Sequence, residues 1–224
     1  DGRRAVTNGH ATALAVWDLG SGAGRGVQTL ELPEAVAGPV RALRWLEHDG
    51  AALLVVVTDT GSAGLRLDGT VQWTLDTPIP REPEYPDDRS RCLNGTMWRT
   101  DGTAVTAWSP ACMEREPLQD GVMVAWDPRD GTVQRTWPAG LDNGGATAPA
   151  LAETPNGDLL VAWGHQFQEV PVVRWPADGS APVRATLPDT ATGDVRGLVV
   201  TPDGLQALVA LKWPGVVAVM DAQT

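Results

Sequence analysis

Cys92 and Cys112 are the only cysteines of the chain, and they flank a stretch that turns at residues 100–103. Folded there as an antiparallel hairpin, the chain sets residue 92 opposite about residue 111, allowing one step of register. Thiols so placed form a disulfide if their Cα atoms lie about 4.4–6.8 Å apart. In a reducing compartment they stay two free thiols. Two reduced thiols would fit the cytoplasm; a bridge would fit the periplasm or the outside of the cell. Glu114 and Glu116 form a carboxylate pair of the kind general acid–base chemistry uses, but nothing in the sequence makes them converge on a pocket. "PDDRS", "LDNGG" and "DPRDG" offer oxygen ligands on loops, as calcium prefers. None has EF-hand order, and turn chemistry explains the same Asp, Asn and Gly clusters without metal. His10, His48 and His165 lack zinc-ligand spacing. There is no nucleophile elbow, phosphate loop or zincin helix. The expectation is therefore no cofactor, no metal and no catalytic residue, with the balance against an enzyme.

The totals narrow the class further. A chain of 224 residues, 42% hydrophobic and 20% charged, is in the ordinary range for a globular protein with a sizeable core. The longest aliphatic run, "ALLVVV" at 52–57, is the length of a strand and far short of the ~20 residues of a membrane helix, so no membrane insertion is expected. Net charge is −11 and no Lys/Arg cluster offers a phosphate-binding face, which sets nucleic acid aside. Lys212 is the only lysine. Heavy Ala, Gly, Val and Pro usage beside arginine suggests a GC-rich bacterial genome.

What would position any site is a repeat. "HDG", "TDG", "PNG" and "PDG", ending at Gly50, Gly102, Gly157 and Gly204, each separate two β-like runs, such as "VRALRWLE" and "AALLVVV". Glycine accepts the positive φ that tight hairpin turns need, so each is a hairpin signal. A second glycine series, Gly22, Gly69, Gly131 and Gly179, joins an "AVWD"-type strand to a last strand such as "TVQWTL". Each unit thus reads as four strands, a to d, recurring roughly every 50 residues. No helical periodicity competes with this, because Pro and Gly punctuate too often. One small sheet cannot bury both its faces, so the units must stack. Trp108 and Trp163 each stand six residues after a turn glycine, while Trp17, Trp126 and Trp175 end strands c, a repetition that favours packing between units over a ligand box.

"AVWDLGSG" and "VAWDPRDG" resemble the strand-c Trp-Asp signature of WD40 repeats. "TPDGLQALVALKWPGVVAVMDAQT" is also similar to a YVTN-type propeller repeat. Either resemblance implies an all-β fold, a β-propeller of four-stranded antiparallel blades. About five blades are represented, at approximately 1–32, 33–77, 90–138, 146–188 and 194–224, within one propeller segment spanning 1–224. The first and last are incomplete, at three strands each, which predicts part of a longer chain. The Gly-His pair of WD40 blades would precede strand a, but here "NGH" follows strand b. A complete Asp-His-Ser/Thr-Trp hydrogen-bond network of that family is therefore not expected. The WD40 resemblance implies a scaffold or sensor role; the alternative is a small-molecule binder or enzyme of YVTN or quinoprotein-like type, for which export is left open.

In such units the b–c and d–a connections leave one face and the a–b and c–d turns the other. The long connections, 76–92, 109–121, 137–148 and 164–171, are all of the first kind. Binding tends to sit on long loops carried by a rigid scaffold. The single tyrosine and single phenylalanine, Tyr85 and Phe167, fall in these loops. So do Arg81, Asp87, Asp88, Arg89, Arg91, Glu114, Arg115, Glu116, Asn143 and His165. Aromatics and arginines among polar residues have the make-up of a protein–protein hot spot, against the alternative of a solvated charged rim. The expected partner is a protein or peptide.

Overall fold

The computed structural model describes residues 4–10, 12–19, 27–78, 92–110, 121–138, 148–164, 169–187, 193–212 and 215–223. The described residues form five antiparallel sheets, each a meander whose strands pair in chain order. The first holds β1 (Arg4–His10), β2 (Ala13–Asp18) and β3 (Val27–Glu31). The second holds β4 (Val40–His48), β5 (Ala51–Thr58), β6 (Gly61–Arg66) and β7 (Val71–Asp76). In the third are β8 (Cys92–Trp98), β9 (Ala104–Pro110), β10 (Val122–Trp126) and β11 (Val133–Pro138). The fourth contains β12 (Ala150–Glu153), β13 (Leu159–Ala162), β14 (Pro171–Trp175) and β15 (Val183–Thr186). The fifth has β16 (Val195–Val200), β17 (Gln206–Leu211) and β18 (Val217–Asp221). The sheets thus carry three, four, four, four and three strands, the number read from the turn signals. A 3-10 turn, Glu34–Val36, links the first sheet to the second.

The chain divides into two compact units: Asp1–Ser90 with Asp127–Thr132, and Arg91–Trp126 with Val133–Thr224. In the first, Leu14, Val16 and Leu30 of the first sheet close on Leu54, Val56 and Leu65 of the second. Val36 of the 3-10 turn is sealed into the same core. The turn 127–132 joins this unit because the Trp73 indole lies against it and donates to the Arg129 carbonyl at 3.0 Å. In the second unit Val105, Met123 and Trp137 pack on Leu159, Val161 and Trp163. The other face of the fourth sheet, Leu160, Ala162 and Val172, packs on Leu198, Val209 and Leu211 of the fifth. β13 reads "LLVA" without alternation because successive residues enter two different cores. The outermost strands β3, β7, β11 and β15 are mostly exposed, so only the middle strands are apolar on both faces.

The hairpin signals resolve into two turn chemistries. His48 pairs directly with Ala51, and both intervening residues have positive φ, 53° at Asp49 and 69° at Gly50, a type I′ turn. The other Asp-Gly turns are longer. At 99–103, for example, Arg99 N–H donates to the Thr103 carbonyl at 2.8 Å, and only Gly102 takes positive φ. There the aspartate side chain folds back onto the backbone N–H two residues on: Asp68 to Thr70, Asp101 to Thr103, Asp130 to Thr132, Asp178 to Ser180 and Asp203 to Leu205, all at 2.8–3.0 Å. These carboxyls all titrate below the usual aspartate range. The backbone N–H is the main cause at Asp68, Asp130 and Asp178, and the Thr201 hydroxyl at Asp203. At Asp101 burial pushes the other way, and the Thr103 hydroxyl and N–H together with Arg99 outweigh it.

Register also decides which tryptophans are satisfied. Trp126 at the end of β10 donates to the Thr106 hydroxyl on β9 at 3.1 Å, and Trp17 at the end of β2 donates to Thr7 on β1 at 3.0 Å. In both, the threonine lies two residues beyond the indole's own cross-strand partner, Ala104 or Ala5. This is the Trp–Thr part of the network that the position of "NGH" argued against as a whole; residues 8–10 form the end of β1 itself and do not follow it as expected. In the fourth sheet Trp175 pairs with Leu159, so the threonine position falls on Val161. The Trp175 Nε1 has no hydrogen-bond partner among the described residues. Thr106→Val is accordingly expected to cost about 1–3 kcal/mol by orphaning a buried donor. Val161→Thr should cost less than a Val→Thr change elsewhere in that core, since it supplies Trp175 with an acceptor. Denaturant melts of Thr106→Val, Val161→Thr and, as the control in the same core, Val173→Thr check this, and equal costs for the two Val→Thr changes would show that the hydroxyl is incidental.

Candidate functional site

In each four-stranded sheet the b–c and d–a connections leave the same end, and that end is built from paired strand termini. In the third sheet Cys92 at the start of β8 lies opposite Pro110 at the end of β9. The two longest connections of the chain therefore emerge side by side, one arriving at Cys92 and the other leaving Pro110. The sequence had set residue 92 opposite about 111; the observed partner is one residue earlier. In the fourth sheet Ala150 pairs with Ala162, which likewise brings together the roots of the segments that hold Asn143 and those that hold His165 and Phe167. Arg81, Tyr85, Asp87, Asp88, Arg89, Arg91, Glu114, Arg115, Glu116, Asn143, His165 and Phe167 themselves lie outside the described residues, as does Cys112. Cys92 is placed by its backbone alone, and the bridge to Cys112 remains a proposal.

The described part of this end is most developed in the second sheet. Asp59, in the b–c turn, is 1% exposed, and both its oxygens are taken by Arg41, from Nε and Nη2 at 2.6 Å each. Burial is the largest influence on Asp59 and lifts its carboxyl above the usual range; the hydrogen bond and charge of Arg41 oppose this. The Asp59 bond in turn raises the Arg41 guanidinium. Around the pair, the Thr58 and Thr60 hydroxyls are 3.1 Å apart. Thr60 donates to the Ala37 carbonyl at 3.3 Å. Asp59 N–H donates to Pro39 at 3.3 Å, and Thr77 N–H donates to the Thr60 carbonyl at 3.1 Å. One buried turn thus holds the segment entering strand a and the first residue of the connection that carries Tyr85. A bidentate arginine engages both carboxylate oxygens in a fixed geometry, an arrangement suited to fixing loops in place.

Close backbone approach does the same work in the second unit. A Cβ at Gly95 of β8 would lie 1.8 Å from the Pro149 carbonyl oxygen, and one at Gly164 would lie 2.1 Å from that of Gly193. Gly95 within β8 and Gly164, just past the end of β13, can meet the next sheet's entry segment only as glycine. At the opposite end of this unit, Glu153 receives Arg99 Nε at 2.8 Å and Thr100 N–H at 3.0 Å, linking the third sheet's a–b turn to β12.

Trp108, Trp126 and Trp163 are buried and Trp175 is half-buried against the second unit's core, as their repetition suggested, but Trp17 is 38% exposed and meets Thr7 of its own sheet, so it departs from the expected packing between units. His48 lies beside Asp49 at 3.4 Å, at the a–b turn end. Among the described residues no three His, Cys, Asp or Glu side chains gather as metal ligands. No helix of the described residues is long and apolar enough to cross a membrane. Sequence reasoning missed an open groove of about 410 Å³ in the first unit, lined by Arg4, Trp45, Glu47, Gly50 and Ala51. Arg4 and Trp45 come from different sheets, and no local pattern links them. The groove offers one cation, one carboxylate and no convergent acids.

The chain has a WD40-like β-propeller fold. It superposes on Kuenenia stuttgartiensis hydrazine synthase with a TM-score of 0.62 at 18% identity, over 99% of this chain and 69% of that one. It superposes on the C-terminal WD40 domain of Sif2 with a TM-score of 0.61 at 15% identity, over 99% of this chain and 55% of that one. The chain thus spans about half to two thirds of the length of these structures. No protein-family model matches the sequence, and no curated protein does.

Proposed function

We propose that the chain is a non-catalytic interaction module that binds a protein or peptide at the end from which the b–c and d–a connections leave. The observation that carries this is the pairing of Cys92 with Pro110, which roots the two longest connections, with their Tyr85, arginines and carboxylates, at one point of a rigid sheet. The buried Arg41–Asp59 turn supports it by fixing the other root of the first of these connections. Aromatic and arginine side chains are the types enriched among binding hot spots, and these connections carry both. The likeness to the Sif2 WD40 domain is compatible with a scaffold role.

The test is a combined Tyr85→Ala, Arg89→Ala, Arg115→Ala and Phe167→Ala variant. It should fold as the parent does, by circular dichroism and melting temperature, and lose stoichiometric partner capture from native extract. Capture unchanged in the folded variant would discredit this end of the molecule as the binding surface. The competing reading is a small-molecule binder or enzyme, which the hydrazine synthase likeness keeps open at the level of fold alone.

A further inference from the structure

Each of the four asparagines in the chain, Asn8, Asn94, Asn143 and Asn156, is followed by glycine. That pair has a covalent chemistry of its own. The glycine backbone nitrogen can close on the asparagine side-chain carbonyl carbon, because no Cβ blocks its approach. The described side chains include Asn94 and Asn156, and the fold treats these two in opposite ways. Asn94 is 2% exposed within β8 and pairs across to Trp108. Its successor Gly95 is pressed against the Pro149 carbonyl, so that nitrogen has no room to swing toward the side chain. Asn156 is exposed in the turn between β12 and β13.

This turn departs from the Asp-Gly turns in its side-chain bonding. Its backbone closes as theirs do: Thr154 N–H donates to the Asp158 carbonyl and Gly157 N–H to that of Thr154, both at 2.9 Å. In the turns of Asp68, Asp101, Asp130, Asp178 and Asp203, however, the carboxylate accepts the N–H two residues on. An ionised, hydrogen-bonded carboxylate resists a nucleophile. Around Asn156 the corresponding N–H, that of Asp158, is taken by the Thr154 hydroxyl at 3.0 Å. The Asn156 carboxamide has no hydrogen-bond partner among the described residues. An amide also stays uncharged, and so open to attack, at neutral and alkaline pH.

We propose that Asn156 is a spontaneous deamidation site, and that its rearranged product unlatches the third sheet from the fourth at this end. Base removes the Gly157 amide proton, and the nitrogen bonds to Asn156 Cγ. The Cγ–Nδ2 bond breaks, and the nitrogen takes up a proton and leaves as ammonia. A cyclic imide remains. Water adds to one of its two carbonyls, and the C–N bond at that carbonyl opens. One opening gives aspartate at 156; the other gives isoaspartate, whose main chain runs through the side-chain carbons. Either way the chain gains one negative charge beyond its −11. The two products differ at the clasp. Arg99 donates from Nη2 to the Gly157 carbonyl at 3.3 Å while its Nε holds Glu153 at 2.8 Å. Aspartate keeps the backbone and turns the string into "TPDG", that of residues 201–204, where Asp203 accepts from the Thr201 hydroxyl and Leu205 N–H. Isoaspartate lengthens the main chain inside a turn closed by two hydrogen bonds, which carries the Gly157 carbonyl away from Arg99. This site is separate from the loop-bearing end, and the inference stands whether or not that end binds a partner.

The test holds the 224-residue chain at mildly alkaline pH and follows each asparagine by peptide mapping and mass spectrometry. Electron-based fragmentation tells isoaspartate from aspartate. Asn156 converts about tenfold or more faster than Asn94, which must wait for β8 to open. Its rate rises with pH, and in urea-unfolded chain the two convert alike. The purified isoaspartate form unfolds at lower urea than the parent, whereas Asn156→Asp unfolds with the parent. In an Arg99→Gln background, where the contact is already gone, the isoaspartate loss is smaller. Asn156 that stays intact in the folded chain, or converts no faster than Asn94, overturns the site. An isoaspartate form as stable as Asn156→Asp, or an equal loss in the Arg99→Gln background, overturns the unlatching.

Discussion

Arg41→Met lowers the stability of the protein by about 2–4 kcal/mol at neutral pH, a little under the ~3–5 kcal/mol seen when one partner of a fully buried pair is removed. The discount reflects Arg41, whose side chain is 36% exposed; the larger part of the loss comes from Asp59, which is 1% exposed. Without the guanidinium, Asp59 must either carry an uncompensated charge in the turn or take up a proton. The loss therefore depends on pH, and its sign follows from linkage. The folded-state pKa of Asp59 is raised by burial, and removing Arg41 raises it further. A group with a raised folded pKa contributes stability below its unfolded value of about 3.9, and that contribution is lost as pH rises through the folded pKa. The deficit of the variant is therefore smallest near pH 4 and grows toward pH 7.5. Urea melts across that range measure it. A deficit that does not change with pH would show that Arg41 acts by packing and not through the Asp59 charge. Arg41→Met combined with Asp59→Leu should recover much of the loss, since it removes the buried charge along with its partner.

Gly95→Ala is the second large effect. The added Cβ would fall 1.8 Å from the Pro149 carbonyl oxygen, a backbone atom that cannot move aside as a side-chain tip would. β8 and the entry to β12 would have to separate, disturbing the core that Met97 and Leu151 help to close. The expected cost is at or above the top of the ~1–3 kcal/mol usual for overpacking. Gly197→Ala provides the contrast. Its nearest neighbour would be the Ala210 Cβ at 4.0 Å, and its φ is not positive. It should be neutral or stabilising by up to about 1 kcal/mol, through the entropy of the unfolded chain. Thermal melts of the pair decide the matter. Similar shifts for both would mean that the approach of β8 to Pro149 relaxes freely.

The two predictions also mark where the sequence stops being readable. Turn glycines and β-branched runs are local, so the strands and their count could be taken from spacing. The partner of Asp59 could not, because Arg41 comes from the start of strand a and Asp59 from the b–c turn, and only the completed sheet brings them together. The same holds for the indoles. "VAWD" and "VVRW" look alike as strings, yet Trp126 finds Thr106 and Trp175 meets Val161. The difference lies in the neighbouring strand at a fixed register step. Gly95 carries no signal at all until the next sheet is in place. For the loop-bearing end, the sequence named the residues and the structure supplies their roots. Cys92 beside Pro110 follows from one hairpin, whereas the path of a long connection depends on many weak preferences that no periodicity records.

The aspartates folded back into the turns have a consequence for the molecule as an ion. The chain carries 28 acidic residues, and in the folded state at least five of these, Asp68, Asp101, Asp130, Asp178 and Asp203, keep their charge to lower pH than a free side chain would. Asp59 shifts the other way. On unfolding, each of the five turn aspartates becomes the better proton acceptor, whereas Asp59 contributes with the opposite sign. As the pH falls through their range, the five therefore withdraw stability from the fold, because the unfolded chain binds those protons more readily. The acidity of the sequence is thus partly an architectural property, held in place by the same turns that set the strands.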